Sequence, residues 1–405
     1  MKNNKKSILF VINDFNVGGA EVFVFRLGIA LQQNYRVYIT DISPKNANND
    51  FKEKFISNGF QYISPVFSFS NFTDIFLWKC NALLSKLGIQ HFYKSISVFF
   101  ARNYWKRMLS NNKINVVNSH LLGADTFVYD KIISATSDVS WVITLHSSYN
   151  PLHFETKSNI EKQHIFEHAS KLFNRADAIV GVAEENFKIF NYVTVNKTPR
   201  KIYLGYDANQ RDNIKLNNFR DSFNFIMIGR AIPEKGWEIA FDAFEKLLIK
   251  APKSRLLIVS PLNEYLTFFK DKYSHNDRFV FLGYQEFPSD YIKQAHIGLL
   301  PSYGESLPYT VIECLGHHVP VIVSNRGEMA RMIEFETEKE AGIVLEDDSN
   351  GLPSVIDLYK KMLLLVNDGE LYLTLKNNTE HAFYKFDIHT CVSQYETVFQ
   401  EITHE

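Results

Sequence analysis

The sequence predicts an α/β protein made of two doubly wound domains that face a central cleft. Short runs rich in β-branched and aromatic residues alternate with longer helical stretches, an order typical of a parallel sheet covered on both faces. The alternation restarts after the polar stretch Asp207–Asn218. The length of 405 residues also fits two domains.

The first half begins with an apolar run too short for a signal-peptide core, so we expect it to form the first strand. Gly18 and Gly19 then form a turn before a helix at Ala20–Gln32. The predicted strands of this half are Ser7–Asn13, Arg36–Ile42, Asn115–Ser119, Trp141–Leu145, Ala178–Val182 and Lys201–Leu204.

The second half repeats the pattern, with a helix at Trp237–Ile249 that ends before a proline. Its predicted strands are Asn224–Ile228, Arg255–Val259, Phe279–Leu282, Ile297–Leu300 and Val319–Val323. In parallel sheets, ligands bind beyond the carboxyl ends of the strands, so functional residues should follow strands closely.

Composition excludes several classes of protein. Apolar residues make up 45% and charged residues 22%, too apolar a mixture for a disordered chain, and no apolar run is long enough for a conventional membrane span. Three widely spaced cysteines provide neither a disulfide framework nor a zinc ribbon, which favours a reducing cytoplasm. Residues 1–205 hold 24 Lys and Arg against 15 Asp and Glu, whereas the remainder holds 20 against 30, which predicts domains with different partners.

The most informative motif is Pro301–Glu313, which follows a predicted strand. Ser306 is the expected helix N-cap and Pro308 suits the first turn, so the helix start would form an anion site suited to a diphosphate. Glu313 lies roughly 8 Å further along the helix axis, where its carboxylate could accept hydrogen bonds from the hydroxyls of a nucleotide ribose. Glu305 precedes the helix. The alternative is a capped core helix with two solvated acids.

Two further glycine-containing motifs also follow predicted strands. In Gly229–Gly236, Arg230 and Lys235 could converge on a diphosphate, although a surface turn with solvated charges is the alternative. Gly18 and Gly19 let backbone approach a ligand closely, but they form neither a dinucleotide fingerprint nor a P-loop.

Two histidines directly follow predicted strands of the first half. His146 in Thr144-Leu-His146 could hydrogen-bond a sugar hydroxyl, and His120 in Asn118-Ser-His120 is a weaker case of the same kind. Most lone histidines are merely packed or solvated.

Together these motifs resemble retaining glycosyltransferases of the GT-B fold, family four, also called group 1. The resemblance runs nearly the whole length and is most specific over Leu282–Ile333. It implies two Rossmann-like domains: an acceptor-binding domain at 1–206, and a nucleotide-sugar-binding domain at 207–386. A C-terminal helix at 387–405 would cross back onto the first domain.

The resemblance also implies roles for matching residues. Arg230 and Lys235 would bind the donor diphosphate, Glu305 the transferred sugar and Glu313 the ribose, with His146 completing the catalytic set. The donor-binding set is completed by Gly18, Gly19, Gly229, Ser306, Leu307, Pro308, Tyr309 and Thr310. The chain departs from the family pattern at Gly316–Val319, at Asn325–Met329 and at Ser260–Leu262, which leaves the base and sugar open.

The implied activity is transfer of a hexosyl unit to a glycan or lipid-linked acceptor in bacterial cell-surface polysaccharide synthesis. We expect a UDP-sugar donor, with GDP-mannose as runner-up. The resemblance also implies metal independence, which fits the absence of an Asp-x-Asp element, so we expect no cofactor and no metal. A sugar-nucleotide epimerase of the same fold and a non-catalytic sugar-nucleotide-binding protein are the alternatives.

Residues 69–113 hold seven basic side chains against one acid, interleaved with aromatics that include Trp105. This pattern predicts peripheral contact with an anionic membrane at its cytoplasmic face. An internal helix pair with a solvated basic side is the alternative, and no nucleic-acid module accompanies the patch.

Two histidine pairs raise the question of a metal. His164 and His168 match the His-x-x-Glu-His motif of inverted zinc peptidases, but no third ligand is evident. His317 and His318 are adjacent, diverge on a helix and form a poor chelate.

Overall fold

The computed structural model describes residues 5–16, 18–44, 48–65, 92–136, 138–146, 158–208, 222–285, 288–337 and 339–403, without the side chains of 92–100, 159 and 160. The chain divides into two compact units, Met1–Ile202 with Val392–Glu405, and Tyr203–Cys391. Each contains a parallel sheet with helices, which confirms the predicted α/β class.

The first unit contains a seven-stranded parallel sheet in the order β3-β2-β1-β4-β5-β6-β7. Its strands are β1 Lys6–Ile12, β2 Tyr35–Asp41, β3 Gln61–Tyr62, β4 Ile114–His120, β5 Ser140–Leu145, β6 Ala178–Gly181 and β7 Arg200–Lys201. Its helices are α1 Gly19–Leu31, α2 Asn49–Ser57, α3 Phe92–Asn111, α4 Leu122–Phe127 with its π-helical continuation Val128–Ile133, α5 Asn159–Arg175 and the 3-10 helix Glu184–Asn191. The strand order reverses between β1 and β4, which is the topological switch point of a doubly wound sheet.

From residue 101 onward, helix α3 separates its apolar and basic residues. Trp105 is 1% exposed and packs edge-on against Phe127, whereas Arg102, Lys106 and Arg107 are exposed. Trp105 is therefore a core residue, and its expected place on a membrane-facing surface is wrong, because its helical position points it into the sheet. The rest of the 69–113 prediction up to residue 91 lies outside the described residues.

The second unit contains a six-stranded parallel sheet in the order β10-β9-β8-β11-β12-β15. Its strands are β8 Asn224–Ile228, β9 Arg255–Val259, β10 Phe279–Gly283, β11 Ile297–Leu300, β12 Val321–Ser324, β15 Gly342–Leu345 and the antiparallel pair β13 Glu334–Glu336 and β14 Lys339–Glu340. Its helices are α6 Trp237–Lys250, α7 Glu264–Lys272, α8 Ser289–Ile292, α9 Tyr309–Gly316, α10 Met329–Ile333, α11 Val355–Asn367, α12 Gly369–Phe383 and the 3-10 helices Pro233–Lys235 and Tyr384–Phe386. Here the order reverses between β8 and β11.

The last helix, α13, spans Ile388–Ile402. Its first turn belongs to the second unit, and from Val392 onward it belongs to the first. There Tyr395, Val398 and Phe399 are buried, so this part of the helix supplies core to the first unit. No helix within the described ranges is long and apolar enough to cross a bilayer.

Candidate active site

In the second unit, the loops after three neighbouring strands meet at one edge of the sheet. Residues 229–236 follow β8, residues 301–308 follow β11 and residues 325–328 follow β12. The first two loops flank the switch point, where open α/β sheets bind ligands. Most of the predicted donor-binding residues lie on these two loops.

The two loops are joined by an ion pair. Lys235 Nζ donates to Glu305 Oε1 at 2.5 Å, and the Ser302 hydroxyl donates to the same oxygen at 3.1 Å. The Lys235 side chain is 18% exposed and that of Glu305 12%. The structure thus brings together two of the residues that the sequence predicted, with a fixed cation and a fixed carboxylate at the switch point.

Backbone contacts hold this pair in place. Gly236 has φ +75°, and a side chain there would collide with the carbonyl oxygen of Pro301. The N–H of Tyr303 donates to the carbonyl of Glu234 at 2.8 Å. The loop that carries Lys235 and the loop that carries Glu305 therefore pack directly against each other, and only glycine fits at position 236.

Arg230 is an exposed side chain on an anchored backbone. The Trp237 indole N–H donates to the Arg230 carbonyl at 2.8 Å, and Trp237 itself is fully buried. The guanidinium is therefore exposed to solvent, while the backbone of Arg230 is held in place. Gly229 precedes it, with its N–H on the Val259 carbonyl at 3.2 Å.

Helix α9 begins later than the sequence predicts. Pro308 occupies the N-cap position with extended ψ, and the helix starts at Tyr309, so the prediction of Ser306 as N-cap is wrong. Proline disfavours helical conformation in the residue before it, so the helix cannot begin at Leu307, which is buried. The Ser306 hydroxyl oxygen is buried and makes no hydrogen bond within the described residues.

The remaining donor-side residues lie on or beside α9. Thr310 donates to the Ile228 carbonyl at 3.3 Å and Tyr309 to that of Gly205 at 3.5 Å. Glu313 is 8% exposed. The helix that carries Glu313 is thus fixed to the end of β8.

Sequence reasoning missed the importance of Gly327. It has φ +54°, and a side chain there would collide with the Glu305 carbonyl oxygen, while the N–H of Glu328 donates to the Ser306 carbonyl at 3.0 Å. The segment read as a departure from the family pattern therefore packs against the Glu305 backbone. A glycine three residues after a buried strand was the available signal.

In the first unit, α1 begins at Gly19, one residue before the predicted start at Ala20 and within the predicted Gly18–Gly19 turn. Gly18 is the extended N-cap residue, and a Cβ there would lie 2.6 Å from Glu21 Oε2. Glu21 is buried, and this desolvation raises its pKa to about 7. The Asn13 side chain accepts from the N–H of Ala124 at 2.9 Å, which links the loop after β1 to helix α4 across the switch point.

The structure joins the two predicted histidines. His120 Nδ1 and His146 Nε2 lie 2.8 Å apart, and His120 Nε2 lies 3.2 Å from Asn118 Oδ1. Desolvation lowers the pKa of both imidazoles, to about 3 for His146, and the neighbouring ring adds to the effect on His120. Both are therefore neutral at physiological pH. Asn118 and Tyr395, whose hydroxyl lies 3.3 Å from Thr144 Oγ1, were not identified from the sequence.

The other histidine motifs have local partners. His168 Nε2 lies 3.0 Å from the Thr126 hydroxyl, and His317 Nε2 lies 2.8 Å from that of Tyr206. His318 has φ +58°. In the described part of the chain, no three His, Cys, Asp or Glu side chains are grouped as metal ligands.

Comparison with known proteins agrees with this geometry. Residues 209–382 match the family model described as Glycosyl transferases group 1. An uncharacterized glycosyltransferase of Methanocaldococcus jannaschii, MJ1059, is 27% identical over 205 residues, which cover 48% of this chain and only 50% of that relative. The capsular polysaccharide biosynthesis glycosyltransferase CapH of Staphylococcus aureus is 24% identical over 62% of this chain and 71% of CapH.

Solved structures confirm the predicted GT-B fold. The Anabaena protein HepE, solved in complex with UDP and glucose, aligns with a TM-score of 0.70 over 97% of this chain and 98% of its own, at 17% identity. Sucrose-phosphate synthase from Thermosynechococcus elongatus aligns with a TM-score of 0.68 over 98% and 99%, at 13% identity.

Proposed function

We propose that this chain, which is a glycosyltransferase of group 1 with the GT-B fold, moves a hexosyl unit from a UDP-sugar to a glycan or lipid-linked acceptor. CapH acts in capsular polysaccharide biosynthesis and HepE binds UDP and glucose, which supports a UDP-sugar donor and a role in bacterial cell-surface polysaccharide synthesis. GDP-mannose is the second donor to test.

The observation that carries the proposal is the Lys235–Glu305 pair at the switch point of the second unit. Lys235 supplies a positive charge for the donor diphosphate, and the start of α9 adds backbone N–H groups. Arg230 presents a second cation from the same loop, and Glu313 takes the ribose. Glu305 holds Lys235 and faces the transferred sugar.

The proposed reaction proceeds with retention and without an enzymic nucleophile. The bond between the anomeric carbon and the diphosphate oxygen breaks, and its electron pair stays on that oxygen. The acceptor hydroxyl oxygen bonds to the same face of the sugar, and its proton passes to the departing diphosphate. Lys235 and Arg230 stabilise the negative charge that develops on the leaving group.

A thermal-shift screen tests the donor directly, because a ligand that binds the folded state raises its melting temperature. We expect UDP and UDP-sugars to raise the Tm, GDP-mannose to raise it less and free hexoses to leave it unchanged. Stabilisation by GDP-mannose alone would replace the donor assignment. We expect the same transfer rate in EDTA, because the family resemblance implies metal independence.

Product analysis separates transfer from the alternatives. Incubation with the UDP-sugar and no acceptor should leave the sugar's configuration unchanged, and release of UDP should rise when acceptor is added. A change of configuration without acceptor indicates an epimerase. Tight binding with no turnover under any acceptor indicates a binding protein.

We also propose that α3 holds the enzyme peripherally at the inner face of the membrane. Arg102, Lys106 and Arg107 are exposed on α3, and each basic residue near an anionic surface contributes about 1 kcal/mol to binding. Co-sedimentation with vesicles rich in phosphatidylserine should fall sharply in R102E/K106E. The double variant K246E/K250E on α6 carries the same charge change and should bind as the unaltered protein does. Equal binding by both variants would remove α3 from the contact.

A further inference from the structure

Two histidines of the first unit, His120, which is buried, and His146, which is half-buried, lie at the ends of neighbouring strands. His120 ends β4 and His146 follows β5, and their rings meet with Nδ1 of the first 2.8 Å from Nε2 of the second. The ring of Phe23 packs edge-on against both. A hydrogen bond between two imidazoles has a direction, and neighbouring groups fix that direction here.

Asn118 sets the direction of the hydrogen bond between the two rings. Its Nδ2 donates to the Val142 carbonyl at 3.1 Å and to Thr144 Oγ1 at 3.0 Å. A carbonyl oxygen can only accept, so the amide nitrogen must face Val142 and the amide oxygen must face His120. Asn118 Oδ1 then accepts from His120 Nε2 at 3.2 Å. The proton of neutral His120 is therefore on Nε2.

The rest of the chain of bonds follows from the neutral state of both rings. His120 Nδ1 carries a lone pair, because its proton is on Nε2. His146 must then donate its own proton from Nε2 to that lone pair. Its Nδ1 is left unprotonated and able only to accept a hydrogen bond.

We infer that Asn118 and His120 are positioning residues that hold His146 in its Nε2-protonated tautomer, so that Nδ1 accepts a hydrogen bond from a substrate hydroxyl. The substrate part of this inference rests on the proposed function, and the tautomer part does not. Neither Asn118 nor His120 touches substrate in this arrangement. Both act through the ring of His146.

Nitrogen-15 NMR of the histidine rings tests the tautomer without any substrate, because the chemical shifts of protonated and unprotonated ring nitrogens differ. We expect His146 to be protonated at Nε2 and unprotonated at Nδ1 near neutral pH. Protonation at Nδ1 would overturn the inference. This spectrum needs no variant, so it decides the matter even where a substituted chain fails to fold.

Variants then test which residue fixes the tautomer. His120→Phe keeps a ring beside Phe10 and Phe23 but accepts no hydrogen bond, so His146 should become a mixture of tautomers. His120→Gln should restore the Nε2-protonated form, because an amide can donate to Asn118 and accept from His146. The control Thr144→Val removes a neighbouring hydroxyl and leaves the Val142 carbonyl to orient Asn118, so the tautomer should persist. A wild-type tautomer in His120→Phe would refute the positioning role.

Kinetics test the substrate part separately. In His120→Phe, kcat/KM for transfer should fall about tenfold, the cost of one misdirected hydrogen bond, and His120→Gln should recover most of it. If the NMR results hold but His146→Phe transfers normally, the tautomer assignment stands and the substrate contact is refuted. If no transfer is found in the unaltered protein, only the proposed function fails.

Discussion

Replacing Lys235 with methionine should separate the two roles of this side chain, which are to stabilise the departing diphosphate and to pair with Glu305. The change removes the charge and keeps most of the volume. If Lys235 stabilises the departing diphosphate, kcat should fall by 10²–10³, which corresponds to about 3–4 kcal/mol of lost transition-state stabilisation. The rate of UDP release at saturating donor measures kcat.

The same change should destabilise the fold by an amount set by burial. Glu305 is 12% exposed, and without Lys235 its one remaining hydrogen-bond partner among the described residues is the Ser302 hydroxyl. Leaving a fully buried carboxylate unpaired costs 3–5 kcal/mol, so for this partly solvated one we expect about 2 kcal/mol by urea unfolding. In the double variant Lys235→Met/Glu305→Gln, the remaining amide is neutral and most of that loss should be recovered.

The double-mutant cycle therefore separates stability from turnover. Stability should recover in the double variant, whereas kcat should remain at or below that of Lys235→Met. If kcat instead recovers with stability, Lys235 serves only to hold the loop, and the assignment of the donor diphosphate to it is refuted.

Three further predictions follow from burial. The pKa of Glu21 is about 7 in the folded chain against 4.5 when exposed, so the free energy of unfolding should fall as pH rises between these values. In urea unfolding, Glu21→Gln should therefore be more stable than the unaltered protein by up to about 3 kcal/mol at pH 8. At pH 5 the two proteins should differ little. His120 and His146 are neutral in the folded chain, so the free energy of unfolding should fall as pH drops below 6.5, by up to about 1.4 kcal/mol per pH unit for each histidine. For His146 this fall should continue down to about pH 3. The variant His146→Phe should show a smaller slope. Glu313→Gln should weaken UDP binding about tenfold by calorimetry, whereas the exposed control Glu264→Gln should not.

The sequence was sufficient for the fold because buried parallel strands are short apolar runs. β8, β9 and β11 have the predicted ends, and most other predicted strands shift by one or two residues. Two-residue edge strands such as β3 lack any pattern, since periodicity needs several residues to register. The comparisons confirm the GT-B fold and the resemblance to group 1 glycosyltransferases over residues 209–382, whereas retention, donor and acceptor stay predictions.

The candidate site was only partly predictable, because its constraints come from residues distant in the chain. Lys235 and Glu305 were identified as separate motifs, and their ion pair depends on β8 and β11 being neighbours. Gly236 and Gly327 are required by carbonyl groups of the loop after β11, which no local pattern reveals. Ser306 was misassigned because capping preference is local, and it was outweighed by the restriction that the following proline imposes.

The histidine pair shows what additional sequence signal exists. Asn118 and His120 are two residues apart in β4 and therefore share a face, as do Thr144 and His146 at the end of β5. Because the register places His120 opposite Thr144, all four polar side chains converge. Buried polar groups must find partners, so polar residues at alternate positions in apolar strands beside a switch point predict a hydrogen-bonded network. By that reasoning Asn118 is recognisable from sequence once β4 and β5 are paired, and its amide sets the proton position on both rings.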